Sequence, residues 1–147
     1  ALLGPSGAGA AMKLAVNAMI AVTNESVAET IALATRCGIE PEAAYDVLAG
    51  GALASPFVLY KRGAFLEPEA TPVAFTSALM RKDLTLGLAL AERLGGRMPA
   101  AVAAAGVLDE ALAAGQADAD MASVLGLLAD SAGGDAARHP DDPREGT

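Results

Sequence analysis

The chain has 147 residues and a formal net charge of −8; 53% of its residues are hydrophobic but only 3% aromatic. That length suits one domain with a real core, and an acidic chain with no basic stripe to neutralise phosphates excludes a nucleic-acid surface. Mean hydropathy is +0.39, yet the longest uncharged run, Val47 to Tyr60, is interrupted by Gly50, Gly51 and Pro56. A spanning helix needs roughly 18–20 apolar residues, so no membrane segment is expected.

Small residues with few aromatics suit closely packed helices better than a sheet. The first helix is expected from about Gly9 to Arg36, stopped by Gly38. Apolar residues occupy nearly every face from Leu14 to Val22, which predicts burial all round at the centre of a bundle. Lys13 and Asn17 stand four residues apart and so share a helical face, and Asn24, two turns on, extends the stripe. Such a stripe reads as the wall of a site; the alternative is a helix start with a snorkelling lysine. The glycine-rich approach, Gly7-Ala8-Gly9, leaves the helix N-terminus open to an anion.

Glu40-Pro41-Glu42 opens a second helix to about Ala49. Ser55-Pro56 reads as an N-cap and first turn of a short helix to about Arg62, and residues 63–75, with Pro68 and Pro72, read as a loop. A second long helix is expected from about Thr76 to Leu94, a fifth from Pro99 to about Gly115, and a sixth from Ala119 to about Ala132. Residues 133–147 read as a disordered tail that holds the only histidine, His139. The expected architecture is all-α, a bundle of about six helices with two long central ones.

Two nucleotide motifs fail on spacing. A phosphate loop needs its lysine directly after the second glycine, and here Ala10-Ala11 follow Gly9; a Gly-x-Gly-x-x-Gly fingerprint needs a preceding strand and a glycine where Met12 stands. Glu25 and Glu29 share a face, but no histidine accompanies them as a di-metal bundle would require, so the pair reads as a solvated or interface patch and no metal is expected. Cys37, the only cysteine, reads as a small buried hydrophobe, and with no disulfide possible within the chain the default compartment is the cytoplasm. Arg81-Lys82-Asp83 interrupts an otherwise apolar helix; consecutive side chains point roughly 100° apart, so the three cannot serve one function, and a surface-charged turn is the alternative.

Taken together, Gly7-x-Gly9-x-x-x-Lys13-x-x-x-Asn17 and the later Phe75-x-x-x-Leu79-Met80-x-Lys82-Asp83-Leu84 resemble the β-hydroxyacid dehydrogenases. That family includes 3-hydroxyisobutyrate dehydrogenase, tartronate semialdehyde reductase and glyoxylate reductases, and it is related to 6-phosphogluconate dehydrogenase. The resemblance covers roughly residues 4–131 and implies the family's all-α C-terminal catalytic and dimerisation domain, over residues 1–132. Its N-terminal Rossmann domain, which binds most of the NAD or NADP, is absent from this chain, and the start at Ala1 reads as a piece cut from something longer. The resemblance makes Lys13 the catalytic acid–base and Asn17 its catalytic partner. It places Lys82 and Phe75 beside the nicotinamide end of the cofactor and leaves Asp83 a structural residue pairing with basic neighbours.

A free lysine, with a pKa of about 10.4, is a sluggish acid–base at neutral pH, so the role requires a dry cleft closed by the second domain. The implied partners are that domain, a small hydroxyacid or semialdehyde substrate, and a second copy of the chain through the small-residue faces Ala100 to Ala105 and Leu112 to Gly115. The isolated piece is expected to be inactive. The alternatives are a non-catalytic helical dimerisation module, or an imine-reductase-like domain, against which Lys13 speaks.

Overall fold

The computed structural model describes residues 4–130; the tail expected over 133–147, with His139, lies outside the described residues. These fold as α1 (Ala8–Arg36), α2 (Pro41–Gly50), α3 (Pro56–Leu66), α4 (Ser77–Arg93), α5 (Pro99–Ala113), a 3₁₀ turn (Met121–Ser123) and α6 (Val124–Asp130). The all-α bundle is as expected. Among the described residues the sole strand-like feature is one antiparallel bridge between Thr76 and Asp120.

One termination device is used three times. Gly38, Gly95 and Gly115 have φ of 81°, 69° and 81°, a left-handed conformation that costs glycine little. Each directs its N–H and that of the next residue back to carbonyls of the last turn: Gly38 to Thr35 and Ile39 to Ala34, Gly95 to Glu92 and Gly96 to Ala91, Gly115 to Leu112 and Gln116 to Ala111. This satisfies carbonyls that a helix end otherwise leaves unpaired. At the other ends the hydroxyls of Ser55 and Thr76 accept from Val58 N and Leu79 N, each at 3.2 Å, and Pro41, Pro56 and Pro99 occupy first-turn positions where a missing N–H does no harm.

α1 is the hub and packs against α2, α4, α5 and α6. Its inner stripe includes Ala18, Ala21, Ala28, Ile31 and Ala32; alanines there let neighbouring axes approach closely, and Tyr45, Met80, Leu84, Leu108, Met121 and Val124 fill the remaining core. α1 and α4 run antiparallel. Leu14 faces Gly87, where an added Cβ would stand 3.7 Å from the Leu14 carbonyl oxygen, so nothing larger than alanine fits that crossing.

Several expectations are corrected. α1 is not buried all round: Met12, Val16 and Met19 are exposed, Met19 by 72%, because neighbouring helices cover only part of its circumference. α3 continues past Arg62 to Leu66 because Ala64 and Phe65 reach the core. The sixth helix starts later than Ala119, after a 3₁₀ turn capped by Asp120. Cys37 is exposed, since it follows the last turn of α1 where the chain leaves the core. Of the small-residue surface expected to meet a second copy, Ala101, Ala104 and Ala105 are buried within the chain, while Ala100, Val102, Ala103 and residues 113–115 stay exposed.

Candidate functional site

The antiparallel register of α1 and α4 brings Asn17 opposite Asp83. Asn17 Nδ2 donates to Asp83 Oδ2 at 2.6 Å. The same oxygen lies 3.6 Å from Lys13 Nζ, one turn earlier on α1. A single carboxylate oxygen on α4 thus gathers the two polar side chains that the i, i+4 spacing placed on one face. The Asp83 side chain is 8% exposed and that of Lys13 is 68% exposed. The ammonium is tethered at its tip and otherwise open to solvent, so the dry wall expected around it is not built by the described residues alone.

Arg81, Lys82 and Asp83 diverge as consecutive helix positions must. Arg81 turns to α5 and grips Asp109 with two bonds, Nε to Oδ1 at 2.7 Å and Nη2 to Oδ2 at 3.0 Å. Its guanidinium is pushed up and the Asp109 carboxyl down by that shared hydrogen bond. Asp83 turns to α1, a tertiary contact with Asn17 and Lys13 rather than a local pairing. Lys82 faces outward, and among the described residues its ammonium has no hydrogen bond or ion pair. Leu79 and Leu86, three residues before and four after it, are exposed on the same face.

Phe75 is half-buried and packs against the core. Its backbone is tied twice to the segment before α6: its carbonyl accepts from Met121 N at 3.0 Å and its N–H approaches Asp120 Oδ2 at 3.4 Å. Asn24 does not extend the Lys13–Asn17 stripe. It is buried and donates to the Met121 carbonyl at 2.9 Å, anchoring the 3₁₀ turn instead. No group of three potential metal ligands occurs among the described residues.

A second polar centre went unread in the sequence. Lys61, 1% exposed, donates to Asp120 Oδ1 at 2.5 Å. Asp120 also accepts from Ala122 N and Ala74 N, each at 3.0 Å. Burial pushes the Asp120 carboxyl up, but Lys61 and the backbone N–H groups outweigh burial and hold it below the usual carboxylate value. This pair locks α3, the 67–76 loop and the 3₁₀ turn together. The only sequence signal was Lys61 beside Arg62 in the otherwise apolar stretch Phe57 to Leu66, which equally suits snorkelling surface residues.

A family model described as the NAD-binding of NADP-dependent 3-hydroxyisobutyrate dehydrogenase matches residues 7–128. The chain belongs to this family. It is 35% identical over 126 residues to glyoxylate/succinic semialdehyde reductase 2, chloroplastic, of Arabidopsis thaliana, covering 86% of this chain and 35% of that protein. It is 30% identical over 132 residues to a probable 3-hydroxyisobutyrate dehydrogenase of Mycobacterium tuberculosis, covering 85% and 44%. The human cytokine-like nuclear factor N-PAC matches at 34% identity over 122 residues, 83% of this chain and 22% of that one.

Among solved structures, 3-hydroxyisobutyrate dehydrogenase from Salmonella typhimurium superposes with a TM-score of 0.76 at 28% identity, covering 82% of this chain and 42% of that one. The Mycobacterium tuberculosis 3-hydroxyisobutyrate dehydrogenase with L-serine gives 0.74 at 28% identity, covering 86% and 45%. The chain therefore spans less than half the length of these relatives. The β-hydroxyacid dehydrogenase resemblance and the all-α fold both hold, and no helix of the described residues is long and apolar enough to cross a membrane.

Proposed function

We propose that this chain is the helical, lysine-bearing part of an NAD(P)-dependent oxidoreductase that interconverts a small 3-hydroxyacid and its carbonyl form, a semialdehyde among them. A Rossmann domain outside this chain holds most of the dinucleotide, and residues 1–132 form the catalytic and dimerisation domain. One observation carries the reading: Lys13 and Asn17 converge on one Asp83 oxygen at an open face of the bundle, within the segment that matches the family. The residues present fit a nicotinamide, since the exposed Lys82 ammonium, flanked by exposed Leu79 and Leu86, offers a donor for an amide or phosphate oxygen and apolar cover for a ring. Phe75, partly buried just before α4, is assigned to flank the ring.

When bound, the dinucleotide supplies the hydride. Lys13 Nζ holds the proton that the substrate oxygen takes up as its carbon is reduced, and recovers it from the hydroxyl in the oxidative direction. Asn17 orients that oxygen. Asp83 positions both: a long lysine side chain loses reach when its tip is tethered, and a fixed amide aligns the oxygen with the proton. Water leaves when the second domain covers exposed Met12, Val16, Leu79 and Leu86, and that closure makes the acid–base group effective. The L-serine named with the mycobacterial relative is itself a 3-hydroxyacid, which supports the substrate class.

The test joins this chain to the Rossmann half of such a relative and follows NADPH and NADH oxidation with 2-methyl-3-oxopropanoate, the aldehyde form of 3-hydroxyisobutyrate, and with glyoxylate and succinic semialdehyde, whose products are 2- and 4-hydroxyacids, for comparison. Turnover only in the joined protein supports the reading; no turnover with cofactor bound contradicts it.

A second reading, a helical association module without chemistry, is favoured by the N-PAC match, since that relative is named as a nuclear factor rather than a reductase. Homodimerisation belongs to both readings, and the exposed Val47, Leu53, Leu59 and Tyr60 of the α2–α3 region support it; light scattering of the chain decides it. The cytoplasm remains the proposed location, with the chloroplast of one relative the alternative.

A further inference from the structure

We infer that Glu25 is a built-in proton site: its carboxyl, closed into the seam between α1 and α5, carries a proton on the acidic side of neutrality and loses it, loosening the seam, as the solution turns alkaline. The inference does not depend on the proposed enzymatic role.

Glu25 sits on α1 and is 8% exposed. Its Oε1 is buried and accepts no hydrogen bond among the described residues, and no basic side chain pairs with it there. The charged groups that act on it are both carboxylates, Glu29 one turn later on α1 and Glu110 on α5. Charges on the other elements packed against α1 are engaged elsewhere or exposed. Arg81 of α4 holds Asp109 of α5, Asp83 holds Asn17 and Lys13, and Asp46 of α2 holds Arg62. Lys82, Glu92 and Arg93 of α4 and Glu42 of α2 are exposed, the 3₁₀ turn has no charge, and α6 has only the exposed Asp130 at its end.

A carboxylate with one oxygen buried and unpaired, beside two like-charged neighbours, is a poor arrangement, whereas the neutral acid is tolerated and gains an O–H to donate. Burial, then Glu29 and Glu110, push the Glu25 carboxyl from 4.5 up to about 7. The folded-state value lies above the unfolded one, so the stability it confers is complete below about 4.5 and declines until the pH passes about 7. A glutamine of the same shape, always neutral, removes this decline.

The experiment compares denaturant unfolding of the 147-residue chain and its Glu25→Gln variant at about pH 5 and about pH 8. The wild-type folding constant should fall roughly 70-fold between these conditions, while Glu25→Gln stays level and exceeds wild type at the higher pH. Glu29→Gln and Glu110→Gln should each move the wild-type decline to lower pH. Infrared titration of the wild type needs no variant and should show one carboxylic-acid C=O band persisting to near neutrality. Equal pH courses for wild type and Glu25→Gln overturn the proposal, as does a Glu25 carboxyl already ionised at about pH 5.5.

Discussion

Asn17 and Asp83 stand 66 positions apart in sequence and meet at 2.6 Å across the α1–α4 seam. The contact ties the helix that carries Lys13 to the helix that carries Lys82, so both candidate functional cations sit on a frame fixed at one point. Replacing Asp83 with Ala strands the Asn17 amide and releases Lys13. The expected cost is about 1–3 kcal/mol, read as a lower urea midpoint. In the joined two-domain enzyme the same change should slow turnover more than it weakens cofactor binding.

Lys82 makes no stabilising contact among the described residues. Lys82→Ala should leave the thermal midpoint within about 2 °C, since exposed substitutions away from special features fall within roughly 0.5 kcal/mol. In the joined enzyme it should raise the KM for NADPH or NADH several-fold. An unchanged KM would remove Lys82 from the cofactor surface.

Asp120 unites the buried Lys61, the 3₁₀ turn and the loop before α4. Asp120→Ala leaves Lys61 buried and unpaired, and about 3–5 kcal/mol of stability should vanish. Because its folded-state value lies below the ordinary carboxylate value, its contribution is present above that ordinary value and lost as the pH falls toward the folded one. Asp120→Asn should therefore flatten the acid limb of the stability curve, as measured by unfolding at a series of pH values below about 5.

Gly63 lies inside α3, and a Cβ there would stand 2.7 Å from Thr71 Oγ1 but 3.6 Å from Thr71 Cβ. Gly63→Ala should destabilise the chain despite the gain of up to about 1 kcal/mol that alanine brings to a helix. In a Thr71→Ala background the clash disappears and the same substitution should become neutral or stabilising. A double-mutant cycle in denaturant measures this coupling directly.

Much of this was readable in the chain because it depends on local chemistry. Gly38 and Gly95, together with Ser55, Pro56 and Pro99, mark helix ends through backbone rules, and the observed ends follow them closely. Lys13 and Asn17 share a face by periodicity alone. What the sequence withheld is tertiary. Nothing local says that Asp83 turns to α1 while Arg81 turns to α5, that Lys61 is buried on Asp120, or that Asn24 leaves the Lys13 stripe for Met121. The apolar run Leu14 to Val22 suggested full burial, yet Val16 and Met19 are exposed, because composition records hydrophobicity but not which neighbours arrive to cover it. Glu25 and Glu29 read together as a solvated or interface patch, and only the fold separates a buried Glu25 from an exposed Glu29.

The most direct measurement is the single-turnover hydride-transfer rate of the joined enzyme carrying Lys13→Ala, alongside its affinity for NADPH or NADH. A loss of roughly 10²–10⁴-fold in the rate with near-normal cofactor affinity is the expected result. A rate within a few-fold of wild type would show that the proton comes from elsewhere, and Lys13 would then be only a tethered surface lysine.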